Sequence, residues 1–380
     1  MIYLDYAAAT PVADFVLDAM RPYMTEYFYN PSSPYAPAVH VRRDYEDAKA
    51  KLAHTIGAKP GEIVMTAGAT ESINLMFQSV DGHCITSNIE HAAVMQAAGH
   101  HSHTYIPADG NGMVSPDVIA GTLTSETKLV SIALANNELG TIQPLRDIAT
   151  IIEKERVRRR EAGNQTPLYF HTDASQGAGY LDLHVSRLGV DAMTLNAGKV
   201  YGPKQVGLLW VAPHVQLQPS IYGGGQERGL RSGTENVAGT VGFAAALAAA
   251  DGARNAEIIR VRNLRDTLQA RLTTEFPGAI ISGSVKKRLP NFLHISFPGL
   301  DAERLLFALE MKGVLVATGS ACAANKGTRS HVLTAIGLPE ETADGSLRIT
   351  LGKHTDEVAV RMAGDSIIEV VRHEMRRVES

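Results

Sequence analysis

Short apolar runs with the length of buried strands alternate along this chain with stretches of helical periodicity. That alternation most limits what the chain can fold into. Glu62-Ile63-Val64-Met65, Cys84-Ile85-Thr86, Leu129–Leu134 and Pro167–His171 read as strands. Between them, Tyr45, Ala48, Leu52 and Ile56 recur on one helical face, with Gly57 fitting a C-terminal cap. A second helical pattern starts at Thr70-Glu71, and a third covers Arg146–Arg160, whose arginines suit a helix C-terminus. Continuous apolar strands alternating with helices predict an α/β fold around a mostly parallel sheet. The last third differs. Leu293, Ile295 and Phe297 alternate with His294 and Ser296, which predicts a half-buried strand. Pro298-Gly299 makes a turn, and Leu305, Leu306 and Leu309 mark a helix that stops at Gly313. A smaller α+β domain is expected there, with a boundary near residue 252 after an Ala-rich helix.

Composition removes several function classes. Thirty-six basic residues against 40 acidic ones give a net charge of −4, against a nucleic-acid binder that relies on bulk positive charge. Two cysteines, Cys84 and Cys322, cannot make a disulfide scaffold. The N-terminus lacks a basic region followed by an apolar run, so it does not read as a signal peptide. The run Val237–Ala250 is too short to span a bilayer. A cytoplasmic protein without membrane contact is expected.

Familiar nucleotide and metal motifs fail on spacing. Gly198-Lys199 is no P-loop, because Met193 and Val200 occupy the positions that need Gly and Ser or Thr. Gly223–Gly229 lacks the dinucleotide spacing. His373-Glu374 has no second histidine in register, and His100, His101 and His103 read as a solvated turn.

Three other features belong together. Gly68-Ala69-Thr70-Glu71 is a small-residue turn between a strand and a helix, where backbone N–H groups bind phosphate. Alone, Thr70 reads equally as a helix N-cap. Asp173 follows an apolar strand, with Gln176 three residues on. A carboxylate at the C-terminal end of a parallel strand points into the crevice where such sheets bind ligands. Lys199 follows Met193-Thr194-Leu195. Alone it is a surface charge. Together these residues match pyridoxal phosphate: an amine for the aldehyde, an acid for the pyridinium nitrogen and a phosphate cup.

The chain resembles the cysteine desulfurases of the NifS/IscS-like group within the class V aminotransferases. Matching segments run nearly end to end: Tyr3-Leu4-Asp5-Tyr6 with Thr10-Pro11, Asn30-Pro31-Ser32-Ser33, Thr66–Ser72, Glu90-His91 and Asn136–Gly140. They continue with Asp173–Gln176, Lys199–Lys204, Gly223–Glu227, Arg231–Thr234, Gly319–Cys322 and Leu347–Gly352. The resemblance implies fold type I of the pyridoxal-phosphate enzymes. That is a large domain, 14–252, with a seven-stranded mostly parallel sheet, and a small α+β domain, 1–13 with 253–380. It also implies roles. Lys199 joins the cofactor and moves the substrate's α-proton. Asp173 pairs with the ring nitrogen and Gln176 with the phenolic oxygen. His91 stacks on the ring and transfers protons. Ala69 and Thr70 hold the phosphate, and Thr234 reaches the phosphate in a neighbouring subunit, so a homodimer with shared sites is expected. Asn137 and Arg348 hold the substrate carboxylate. The family's usual Ser-x-His-Lys reads Asn196-Ala197-Gly198-Lys199 here. Asn196 can donate through its amide and Gly198 through its N–H, which predicts cofactor binding of altered strength.

Cys322 separates the reactions open to such a chain. By composition it reads as a small buried hydrophobe. Its surroundings, Thr318–Gly327, are small, polar and Gly-containing, and read as a mobile loop. By resemblance it is the nucleophile that takes sulfur from L-cysteine as a persulfide, releases L-alanine, and passes the sulfur to an acceptor protein. Iron–sulfur assembly, tRNA thiolation and DNA phosphorothioation all fit. An aminotransferase or a selenocysteine lyase is the alternative, and Cys84, in a strand, is expected to be inert.

Overall fold

The computed structural model describes residues 1–318 and 329–379. The first strand, β1 (Ile2–Tyr3), lies outside the main sheet. That sheet contains β2 (Ile63–Thr66), β3 (His83–Ser87), β4 (His103–Ile106), β5 (Thr127–Ser131), β6 (Tyr169–Asp173), β7 (Ala192–Asn196) and β8 (Gly207–Val211). Its spatial order is β2-β8-β7-β6-β5-β3-β4. Neighbours from β7 to β4 are parallel, while β8 runs antiparallel to both β2 and β7.

The apolar runs are continuous because both faces of this sheet are covered. Ile63, Ile85, Val130 and Leu208 point into one core, and their neighbours Val64, Cys84, Leu129 and Leu209 into the other. Burial pushes the Cys84 thiol up to about 12, so it carries no thiolate at neutral pH. The helix Ala36–Thr55 ends where Gly57 adopts a φ of +69°. In the helix Leu145–Glu161, the terminal arginines do more than answer the dipole. Arg159 is buried and donates to the carbonyls of Thr124 and Thr166, and Arg156 binds Leu168 O and the Asp191 carboxylate.

A second, antiparallel sheet joins β9 (Ile280–Ile281), β10 (Phe292–Ser296) and β12 (Ser346–Thr350) in the order β12-β10-β9, while β11 (Val314–Leu315) pairs with β1. The expectation of a half-exposed β10 is corrected: all five residues are buried. Leu293 and Ile295 face a core shared with the helices Ala302–Met311 and Glu357–Glu379. On the other face, Phe292 packs against Ala7 and Ala135, and a Cβ on Gly140 would lie 2.5 Å from it. Polar residues alternate along this strand because that face meets the main-sheet half of the chain rather than water.

The Ala-rich helix does not end at the expected boundary near residue 252. One helix runs from Val237 to Glu275, through residue 252. Its first half, with Phe243 and Leu247, packs on the main sheet, and Leu264, Leu268 and Leu272 pack on the second. The drop in apolar content beyond Ala250 marks a change of core, not the end of a helix. No helix among the described residues is long and apolar enough to cross a membrane.

Candidate active site

The C-terminal ends of the parallel strands surround a cavity of about 290 Å³. Asp173 ends β6 and Asn196 ends β7; the turn after β7 carries Lys199, and the connections after β3 and β5 bring His91 and Asn137. Gln176, Ala69 and Thr70 complete the main-sheet wall, and Arg348 of β12 closes the cavity from the second sheet. Residues far apart in sequence meet here because parallel strands place all their C-terminal ends on one edge.

The lysine turn is held from the N-terminal segment. Lys199 Nζ donates to the carbonyls of Ala7 and Ala8, both at 2.7 Å, and Gln176 Nε2 donates to Ala7 O at 3.0 Å. Thr10 braces the same turn, its N–H and hydroxyl both donating to Gly198 O at 3.1 Å. Sequence reasoning assigned no role to residues 5–10. Backbone carbonyls carry no residue-type signal, and only the matched Tyr3–Tyr6 and Thr10-Pro11 pointed there.

Gly198 does not do what the sequence suggested. It does not line the cavity, and its N–H donates to Asn196 Oδ1 at 3.0 Å. Asn196 therefore caps the turn with its oxygen and keeps its amide hydrogens for the cavity. Thr70 is not the helix cap either. The helix Ala69–Gln78 starts from Gly68, at a φ of +138°, and Thr70 sits inside its first turn. First-turn N–H groups have no intrahelical acceptor, so Ala69 and Thr70 present donors at the wall. Glu71 is turned away: its carboxylate accepts from Ala67 N–H and pairs with Arg231 at 2.9 Å. A Cβ on Gly207 would lie 2.7 Å from Gly68 Cα, so β8 seats this turn directly.

His91 caps the helix Ala92–Gly99, its Nδ1 accepting from Ala93 N–H at 3.1 Å. The neutral ring then carries its proton on Nε2. Burial holds its pKa below the usual imidazole range; Asp173 opposes this, and Lys199 and His331 reinforce it. Asp173 Oδ1 accepts from Ser175 N–H at 3.0 Å. Two residues earlier, buried His171 bonds Ser131 and Thr194 through its two nitrogens, and burial pushes its pKa down to about 4. Arg348 donates to Asn137 O at 3.0 Å and pairs with Asp5 at 2.6 Å. Thr234 is exposed and away from the cavity. Cys322 lies outside the described residues.

Glu90, beside His91, is buried and accepts from Ala133 N–H and Ser87 Oγ. Burial outweighs those bonds, Asp173 adds repulsion, and the carboxyl is pushed up to about 7. A raised carboxyl stabilises the fold below its unfolded value and loses that contribution as pH climbs through its folded value. The wild-type melting temperature should therefore fall between about pH 5 and pH 8, by a term worth about 3 kcal/mol, and Glu90→Gln should flatten it. Parallel melting curves for the two proteins would contradict this.

The donor set fits pyridoxal phosphate. Amide donors at Ala69, Thr70 and Asn196 suit a phosphate, the Asp173 carboxylate a protonated ring nitrogen, and the Lys199 amine an aldehyde. Ser175 Oγ, buried in the wall, has no hydrogen-bond partner among the described residues. Residues 2–361 match the class V aminotransferase family. The chain belongs to this family. Its members depend on pyridoxal 5′-phosphate, which is the cofactor of this chain. The chain is 38% identical over 389 residues to a protein named cysteine desulfurase IscS from Dictyoglomus turgidum, covering 99% of this chain and 96% of that one. A solved NifS-like protein superposes with a TM-score of 0.90 at 33% identity, over 98% of this chain and 99% of the other. A structure of SspA in complex with cysteine has 33% identity and a TM-score of 0.78, over 92% of this chain and 99% of that one.

Proposed function

We propose that this chain is a pyridoxal-phosphate-dependent cysteine desulfurase. It converts L-cysteine to L-alanine and passes sulfur, as a persulfide on Cys322, to an acceptor protein. One observation carries the reading: the Lys199 amine shares a single cavity with Asp173, His91 and Arg348. Relatives named cysteine desulfurase across nearly the whole length support the substrate.

The cofactor supplies an electron sink for charge that develops on the substrate carbons. Asp173 keeps the ring nitrogen protonated, which a carboxylate at that strand end is placed to do. Lys199 Nζ takes and returns the α-proton. His91, neutral with a proton on Nε2, donates at the substrate side. Arg348, with one N–H on each terminal nitrogen still to give, grips the substrate carboxylate beside Asn137. The Cys322 thiolate attacks the substrate sulfur. The sulfur–carbon bond breaks with its electron pair left on carbon, and that carbon takes a proton to become the methyl group of alanine.

Chain organisation follows the same reading. Residues 14–252 form the cofactor-binding domain, and 1–13 with 253–380 the small domain. A homodimer with shared sites is supported by exposed Phe15, Met24, Phe28 and Tyr222, and Thr234 then serves the neighbouring cofactor. The protein acts in the cytoplasm on a free amino acid, and its sulfur goes to iron–sulfur assembly, tRNA thiolation or DNA phosphorothioation. Incubation with L-cysteine and a thiol reductant should give alanine and sulfide in equal amounts without any keto acid. Alanine that appears only with a keto acid, or no alanine at all, would overturn the reading.

A further inference from the structure

Three buried polar side chains stand in a row across the second sheet, each with an unmet hydrogen bond. His294 on β10 is paired directly with Arg348 on β12. The β9 register sets Ile281 opposite Ile295 and so carries Ser282 opposite His294, whose carbonyl accepts from Ser282 N–H at 3.2 Å. Directly opposed residues share a face of a sheet, so the three side chains line up. Ser282, His294 and Arg348 are 5%, 0% and 2% exposed. The Ser282 hydroxyl, both His294 ring nitrogens and Arg348 Nε have no hydrogen-bond partner among the described residues. Arg348 spends its backbone N–H and carbonyl on Ala317, which makes its pairing with His294 the kind that brings opposed side chains closest.

Buried polar atoms in folded proteins find a partner, and where protein supplies none, ordered water does. We propose that this row holds ordered water joining Arg348 Nε–H to one ring nitrogen of His294 and Ser282 Oγ to the other, which makes His294 a positioning residue for the guanidinium that binds the substrate carboxylate. Asn137 O and Asp5 fix the two terminal nitrogens of Arg348. Holding Nε as well fixes the plane of the guanidinium, and a bidentate grip depends on that plane. Burial and the neighbouring Arg348 charge push the His294 pKa down to about 3. The ring is therefore neutral, with one acceptor nitrogen for the arginine side and one N–H for the serine side.

The kinetic part of the test rests on the cysteine desulfurase reading, and the spectroscopic part does not. His294→Leu should raise KM for L-cysteine about tenfold while kcat stays within about twofold, with the cofactor absorbance unchanged. His294→Asn, whose amide offers both a donor and an acceptor, should bring KM back to within about threefold of wild type. In wild-type protein labelled with nitrogen-15 histidine, magnetic resonance should show one hydrogen-bonded acceptor nitrogen in His294 and a ring N–H in slow exchange with solvent. If the leucine variant does not fold, Ser282→Ala takes its place and should shift the resonance of that ring N–H. An unchanged KM in a folded leucine variant, failure of asparagine to rescue, or a free acceptor nitrogen would each overturn the proposal. A wild type inactive on cysteine would count against the desulfurase reading alone, because the magnetic resonance result stands apart from turnover.

Discussion

Replacing Lys199 with alanine should reduce alanine formation from L-cysteine by on the order of 10⁴-fold or more. General acid–base transfer alone supplies about 10²- to 10⁴-fold, and the same amine is also the proposed tether of the cofactor. Added cofactor should not restore turnover, because the lost group is the proposed proton carrier as well as the proposed anchor. The fold should survive. The carbonyls of Ala7 and Ala8 lose one donor, but Ala7 O keeps Gln176, and the net loss of such a bond is about 1 kcal/mol. A variant with a near-native melting temperature, no turnover and no visible absorbance from attached cofactor is the predicted outcome. Substantial activity in Lys199→Ala would mean that another base moves the α-proton.

Cys322→Ala should reduce sulfide and alanine release by on the order of 10⁴-fold, the scale seen when a covalent nucleophile is removed. Its cofactor absorbance should match wild type, since the residues proposed to hold the cofactor are untouched. The control is Cys84→Ala. That thiol is fully buried in β3 with its pKa pushed up to about 12, and its removal should leave turnover unchanged. Equal rates in Cys322→Ala and wild type would favour a transaminase. Loss of activity in Cys84→Ala with an intact fold would show that the wrong sulfur had been assigned.

The main sheet is legible because its strands are buried on both faces, which leaves continuous apolar runs, and because cavity-lining residues such as Asp173 sit at strand ends. Asp173 follows from that rule; Lys199 needs Asp173 and the Gly68–Glu71 turn beside it to stand out, and Asn196 is marked by the family resemblance alone. The second sheet is only half legible. Alternation of Leu293 and Ile295 with His294 and Ser296 identified the strand, but residue type does not reveal whether a polar face meets water or another part of the same chain. The continuity of the helix through residue 252 is hidden in the sequence because its two halves serve different cores and differ in composition. Gly198 illustrates a further limit. Its N–H looked available in the sequence, but Asn196 Oδ1 takes it, and competition between a side chain and a ligand for one donor is settled only by geometry. The Ala7 and Ala8 carbonyls that hold Lys199 left no trace in residue type.

Lys199 is the amine proposed to bind the cofactor aldehyde. Borohydride reduction of the cofactor-loaded protein, followed by peptide mass spectrometry, reads that bond directly. The predicted result is a phosphopyridoxyl group on Lys199 and on no other lysine. Labelling at Lys204 or elsewhere with Lys199 unmodified, or no labelling of folded protein, would contradict it.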